Sequence, residues 1–559
     1  MPLFTSRLSH RLAVAALLAL WALLCTAELF SWWQWGHMGF NGASFAQGAR
    51  NTFRYGMLGP FLWHTELTAP DPLSAYAHHP LLVHLHALLA RGLTGSDAPW
   101  VYRVTPALYS FGTLVLLWDL ARRTGGRRFA LVTALLYVSF PGMAIFANVV
   151  IHEQGTLFWI VAAVWAELRY VATRRAGFRA FALLAFFLAL NFGWAAYFAA
   201  FFVFLHALVR AYSHRHHARA RNRALGLAIG LVGVVGLSAA LFLAWAAWAK
   251  GGLTELLHTF TWRSGGSAGL ERLKLGARPF EQLYGWTPAV LCALFLPSLA
   301  LRRVRRRPEA MVALLFLAIQ LVHTTLFRQA AGIHAYWEYY AAPGLALGAA
   351  LGLRLLWSLP LRLPAPVGRL LGGALVSAAA LALLAIQLPF TLRQRQHGLE
   401  TAGLSGWSRD YQEELRWLAE VGRLYPHGSA HFTFVHTLED RPEVRHTLDG
   451  PIHFVRTATQ PRSRQGVPNL LLADLTSIPP GPVRDRLAAR AARSGYTWDD
   501  RFVVIDPSLE SEGLARRFRS SRSEPGLLFR WFVHHDAPVL GWSEELAVAP
   551  DRQPAAASP

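Results

Sequence analysis

Apolar runs of about 18 or more residues recur from the N-terminal region to about residue 390, and each is long enough to cross a bilayer as a helix. This repetition constrains the fold more than any other feature, because helices that are apolar all round cannot share one water-facing core. The mean hydropathy is positive and 53% of the 559 residues are hydrophobic. A soluble globular protein is excluded in favour of a polytopic membrane protein.

The formal charge of +21 comes almost entirely from arginine, since Lys250 and Lys274 are the only lysines. Much of that arginine stands in short loops between apolar runs, where the excess of cytoplasmic positive charge explains it better than nucleic-acid binding does. No nucleic-acid partner is expected; membrane lipids are. The Arg-rich composition also suits a GC-rich bacterial genome. Cys25 and Cys292 fall in expected spans and indicate neither a disulfide frame nor a zinc site.

The basic loops set a topology. Arg7 and Arg11 place the N-terminus in the cytoplasm, and the apolar stretch after them reads as a retained first helix. Spans are expected at about 12–31, 104–121, 129–147, 156–173, 224–249, 286–301, 309–327, 341–359 and 370–390. The run 180–209 has basic residues at both ends and is expected to fold back near Asn191–Gly193 as two short arms. The total is about 11 transmembrane helices. Residues 32–103 and 250–285 are long external loops, and PLLVHLHALLARGL within the first reads as an interfacial amphipathic helix.

Residues 391–548 are expected outside as a soluble α/β domain, with strand-like runs HFTFV, NLLLAD, RFVVID and LLFRWFV alternating with helix-like DYQEELRWLAEVGRL and GPVRDRLAARAARS. The Ala- and Pro-rich tail 549–559 reads as disordered. The fold class is therefore an all-α polytopic membrane domain over 1–390 followed by a periplasmic α/β domain.

Four segments collect on the outer side. The first loop offers Asn41, Arg50, Asn51, Asp71, His78 and His79. The polar break NVVIHEQG, from Asn148 to Gly155, offers His152 and Glu153, which are costly to keep at a membrane boundary unless solvated or used. The loop 250–285 offers Arg263, Arg272, Lys274 and Arg278, and the last segment offers His334, Tyr336 and Glu338. Carboxylate, imidazole and cations meeting at a membrane surface suit a lipid-phosphate substrate: cations hold the phosphate and a carboxylate deprotonates an attacking hydroxyl. The plainer readings are that His78–Pro80 starts the interfacial helix, that His152–Glu153 is a solvated turn, and that the basic loop meets anionic lipid. Trp337, Tyr339 and Tyr340 read as interfacial aromatic anchors, and SHRHHARARNR as a cytoplasmic loop.

The same segments, in this order, resemble the C-type membrane glycosyltransferases, the group that includes protein mannosyltransferases and aminoarabinose transferases. The matching pieces are NGASFAQGARNTFRYG, HHPLLVHLHALLARGLTG with Arg103, the Ser139-Phe140-Pro141 break, His152-Glu153, and HAYWEYYAAPGLALGAALGL, covering roughly residues 10–390. The resemblance implies inverting transfer of a sugar from a polyprenyl-phosphate donor to a lipid, glycan or protein acceptor, on the periplasmic face of a bacterial inner membrane. It implies Glu153, Asp71 and His79 as catalytic candidates. Asn41, Arg50, His78, His152, Arg263, Lys274, His334, Tyr336 and Glu338 are the substrate-binding candidates, with His334 closing the site. Many members carry an acid in the first-loop motif, yet Gly39-Phe40-Asn41-Gly42 has none. Glu153 or Asp71 then supplies the base, or Asn41 works differently, or the chain is inactive. No cofactor is required by the residues, and the resemblance leaves room for a divalent metal. The rival readings are a transporter or flippase of lipid-linked sugars and a catalytically inactive scaffold.

Overall fold

A computed structural model describes residues 7–26, 29–33, 37–56, 61–62, 64, 69–71, 75–250, 253–265, 279–300, 304, 307–358, 374, 385–394, 409–425, 427, 430–435, 442–449, 452–455, 469–475, 478, 480–498 and 502–505. It is mostly helical, and among the described residues six helices are long and apolar enough to cross a membrane. The first eleven helices are α1 (Arg7–Thr26), α2 (His37–Tyr55), α3 (Leu82–Thr94), α4 (Pro99–Gly125), α5 (Arg127–Val138), α6 (Pro141–Phe146), α7 (His152–Thr173), α8 (Ala176–Leu190), α9 (Ala195–Ser213), α10 (Ala218–Lys250) and α11 (Thr254–Ser264). Further helices cover Trp286–Phe295, Pro308–Leu326, Arg328–Ile333 and Ala342–Ser358, the last entered through a 3-10 turn at Ala335–Ala341. Most of span 370–390, the strand-like LLFRWFV and the tail 549–559 lie outside the described residues.

Local chemistry explains where these helices start and stop. Pro99 and Pro141 sit in the first turns of α4 and α6, where a missing N–H costs nothing, and the residues before them, Ala98 and Phe140, are extended. The 129–147 run is therefore not one continuous span. It breaks at Ser139, whose carbonyl accepts hydrogen bonds from Gln387 and Thr391. Backbone freed by a break in the apolar interior must find such partners. The 180–209 run does fold back as expected. Asn191 caps the end of α8, and its Nδ2 donates to the Phe187 carbonyl (2.7 Å) and to Ser238 Oγ of α10 (3.1 Å).

Three expectations need correction. The stretch NGASFAQGARNTFRYG is not a loop but most of helix α2, largely buried. The His152–Glu153 break is no solvated turn: both residues begin α7, at 8% and 3% exposure. Ile151 is extended and turns the chain into the helix, and Glu153 lies in its first turn. The aromatic-anchor reading also fails, because Trp337, Tyr339 and Tyr340 are buried inside the protein rather than facing lipid.

Beyond residue 409, helices Arg409–Leu424, Pro442–Leu448 and Pro482–Ser494 accompany strands β1 (His431–Val435), β2 (Ile452–Val455), β3 (Asn469–Asp474), β4 (Gly495–Trp498) and β5 (Phe502–Ile505). The strands form one sheet in the order β2-β1-β3-β5-β4. β1 is parallel to β2 and β3, whereas β5 is antiparallel to β3 and β4. Trp417 of the first helix stacks on Phe502 (4.8 Å between ring centres) and seals the sheet face together with buried Leu418, Val421 and Phe432.

Candidate functional site

Helix α2, the loop before α3, the start of α7, the end of α11 and the chain around residue 336 enclose a cavity of about 240 Å³. Asn41, Ser44 and Phe45 are spaced i, i+3, i+4 on α2, so a single helical face delivers all three to its wall. Tyr76 and His79 come from the loop, Ile151, His152 and Glu153 from the break, Arg263 from α11, and His334, Tyr336 and Trp337 from the segment before Ala342.

Ring contacts hold the wall together. The His79 and His152 imidazoles stack at 3.9 Å between centres with a 28° tilt. Phe45 meets His152 edge-on at 5.2 Å, and Tyr76 lies 6.3 Å from His79 in a near-parallel stack. His334 stacks on Tyr336 at 5.2 Å, and Asn41 Nδ2 donates to the Tyr336 hydroxyl at 3.4 Å. Arg263 donates to the His78 carbonyl (3.4 Å), and its guanidinium lies 5.7 Å from the centre of the Trp337 ring, within cation–π range.

The polar atoms of this wall are under-satisfied. Ser44 Oγ, His79 Nδ1, His152 Nε2 and Glu153 Oε2 are all buried without a hydrogen-bond partner. Buried polar atoms are almost always paired, so four orphans around one cavity mark a surface shaped for a polar guest. Burial first, and with it the charge of Arg263, hold the His79 imidazole well below its ordinary range, so it is neutral at physiological pH. Burial likewise raises the Tyr76 phenol, which therefore stays protonated and can donate.

A divalent metal does not fit these residues. Among the described residues no group of three or more His, Cys, Asp or Glu side chains is placed to hold one. Imidazole lone pairs lie in the ring plane, so two nearly parallel stacked rings cannot converge on one ion, and Arg263 adds repulsion.

The other candidates are placed elsewhere. Asp71 is exposed and outside the cavity wall. Arg50 is buried on a different face of α2 in ion pairs with Asp97 and Asp449. Asn51 is tied to the carbonyls of Phe61 and His64 (both 2.7 Å). Glu338 is buried behind the wall, accepting from Gln320 Nε2 at 2.8 Å. His78 contributes its carbonyl to Arg263 rather than a side chain to the wall. Lys274, Arg272 and Arg278 lie outside the described residues. Sequence reasoning missed Ser44, Phe45, Tyr76 and Trp337. The helical spacing from Asn41 would have found the first two, once that stretch was read as a helix.

No protein-family model and no curated protein matches the chain. Solved structures do. ArnT from Cupriavidus metallidurans in the apo state is similar with a TM-score of 0.55 at 16% identity, over 89% of this chain and 97% of that one. The same protein bound to undecaprenyl phosphate gives 0.53 at 17%, with the same coverage. The Archaeoglobus fulgidus oligosaccharyltransferase in the apo form gives 0.52 at 14%, over 80% of this chain and 65% of that one. Both proteins are C-type membrane glycosyltransferases, and this chain shares their fold.

Proposed function

We propose that the chain is a membrane glycosyltransferase that moves a sugar from a polyprenyl-phosphate donor to a lipid, glycan or protein acceptor at the periplasmic face of a bacterial inner membrane. In this reading the chain crosses the membrane about eleven times, and its C-terminal sheet unit is a periplasmic α/β domain. The observation that carries the reading is the cavity itself: a buried carboxylate oxygen and two imidazole nitrogens without partners, beside an arginine. The fold shared with ArnT, solved with undecaprenyl phosphate, supports the choice of donor.

In the reaction the acceptor hydroxyl attacks the anomeric carbon on the face opposite the phosphate. Its proton passes to the Glu153 carboxylate, the carbon–oxygen bond to the phosphate breaks, and the bonding pair leaves with the polyprenyl phosphate. The product is inverted at the anomeric centre. Glu153 is the carboxylate among the described residues of the cavity wall, so it takes the role of the missing first-loop acid. Arg263, oriented by His78 and Trp337, neutralises the departing phosphate. Neutral His79 and His152, Asn41 and Tyr336 offer hydrogen bonds to sugar hydroxyls, and His334 closes the wall. Asp71, Arg50 and Glu338 have no part in these steps.

Purified protein supplied with a radiolabelled polyprenyl-phosphate sugar and candidate acceptors tests the proposal. Product is expected from the wild type, with a severe loss in His79→Ala. Movement of labelled lipid across vesicles without product would instead establish a flippase, and neither activity would establish a scaffold.

A further inference from the structure

Resting on the reading above, we infer that the C-terminal unit is a working part of the transferase site: Asp449 and His446 grip α2 and position its cavity face. Asn41, Ser44 and Phe45 point one face of α2 into the cavity, and a second face carries Gln47, Arg50 and Arg54. Arg50, 7% exposed, donates Nη1 to the His446 carbonyl (2.7 Å) and pairs with Asp449 Oδ1 (3.2 Å), while its Nε pairs with Asp97 Oδ2 (3.2 Å). Arg54 also donates to Asp449, Nη1 to Oδ1 at 3.1 Å. Asp449 holds φ at +51°, in the left-handed region that Asp tolerates better than most residues, and from there it meets both arginines.

A second grip lies eight residues nearer the cavity. Trp33 donates Nε1 to His446 Nδ1 (3.1 Å), and its carbonyl accepts from Gln412 Nε2 (3.0 Å), so two helices of the C-terminal unit hold it. The Trp33 ring rests directly on Gly42, where a Cβ would come within 2.5 Å of it. Gly42 follows Asn41 in the chain. The two grips are about 12 Å apart along the helix at 1.5 Å per residue, enough to set both its rotation and its axial position.

Apolar packing alone would let α2 slide or turn with little penalty. Buried, forked charge pairs do not, because a shift of about an ångström leaves arginines and carboxylates unpaired; such pairs specify geometry better than they add stability. Asp449, Arg50, Trp33 and His446 are thus positioning residues that act through α2 on Asn41 and Ser44.

The test uses the full-length protein with a Ser44→Cys reporter. The natural cysteines, Cys25 and Cys292, are both buried, so background labelling is low. Labelling by a water-soluble maleimide is expected to quicken tenfold or more when Asp449→Asn is added. In the Ser44 background, Asp449→Asn should lower kcat at least tenfold while polyprenyl-phosphate binding stays within threefold. Arg50→Lys, which keeps charge but not the fork, should fall between. Gly42→Ala drives a Cβ into the Trp33 ring; it must reproduce the effect and decides the matter if Asp449→Asn does not fold. Unchanged labelling and kcat in folded Asp449→Asn, or in folded Gly42→Ala, overturn the inference. If the wild type shows no transfer, the functional reading fails, and the labelling still judges the grip.

Discussion

Replacing Glu153 with glutamine and with methionine separates a catalytic carboxylate from a structural one. Glu153 is 3% exposed and its Oε2 has no partner, so the folded protein carries an unsatisfied acceptor there. Such an atom costs about 1–3 kcal/mol relative to a paired one. Methionine keeps the length and removes the orphan, so Glu153→Met is expected to stabilise by ~1–3 kcal/mol. Glutamine trades one orphan atom for another, and its stability should stay within about 1 kcal/mol of wild type. Activity should move the opposite way. Loss of a general base costs on the order of 10²–10⁴ in rate, or about 2.7–5.5 kcal/mol of barrier, and both variants should show it. Thermal melts in detergent and initial rates of transfer from a polyprenyl-phosphate sugar measure the two quantities on the same preparations. A methionine variant that melts below wild type, or a glutamine variant with more than a tenth of wild-type rate, would refute the reasoning.

Acidification should destabilise the protein from about pH 6.5 downward. Burial holds His84 down at about 4 and, with Arg50, His446 at about 3, so both rings are neutral in the native state and gain protons first in the unfolded one. Their stabilisation is complete above 6.5 and is lost as pH falls towards those values, by at most about 1.4 kcal/mol per pH unit for each ring. Both His446 nitrogens face donors, Trp33 Nε1 at 3.1 Å and Arg50 Nη2 at 3.3 Å, which sharpens the effect. Melting curves between pH 8 and 4 check it, and a protein more stable at pH 5 than at pH 7 contradicts it. Below about pH 4 the carboxylates of Asp97 and Asp449, held below their usual range mainly by neighbouring arginines against the opposing effect of burial, should add a second loss. Gly155→Ala would drive a Cβ into the ring of buried Phe192, and overpacking of this kind costs about 1–3 kcal/mol; an unchanged or higher melting temperature would disprove the contact. Arg263→Gln is expected to raise the donor KM tenfold or more, with a smaller change for the acceptor, measured by varying each substrate in turn.

The places where helices must break were legible because their causes are local. Pro141 cannot continue a helix from Phe140, and the Asn191–Gly193 turn interrupts a run with basic residues at both ends. The strands at His431–Val435, Asn469–Asp474 and Phe502–Ile505 were equally readable from short apolar runs. Helix α2 was not. Two of its faces are polar, lining a polar cavity on one side and a charge network on the other, and its buried apolar face is mostly alanine (Ala43, Ala46 and Ala49), so the stripe by which a buried helix is recognised is faint.

By itself the sequence determined that this chain builds spanning helices, because a long apolar run in lipid satisfies its backbone groups by coiling into a helix. It also marked Glu153 and His152 as polar groups in a costly place. Nothing in residue type separates Arg50 from Arg263, or Asp71 from Glu153. Which of them meet was decided by the rotation of α2 and by partners such as Asp449, 399 residues from Arg50. A cavity is a meeting of segments far apart in the chain, and only their packing in three dimensions selects its members.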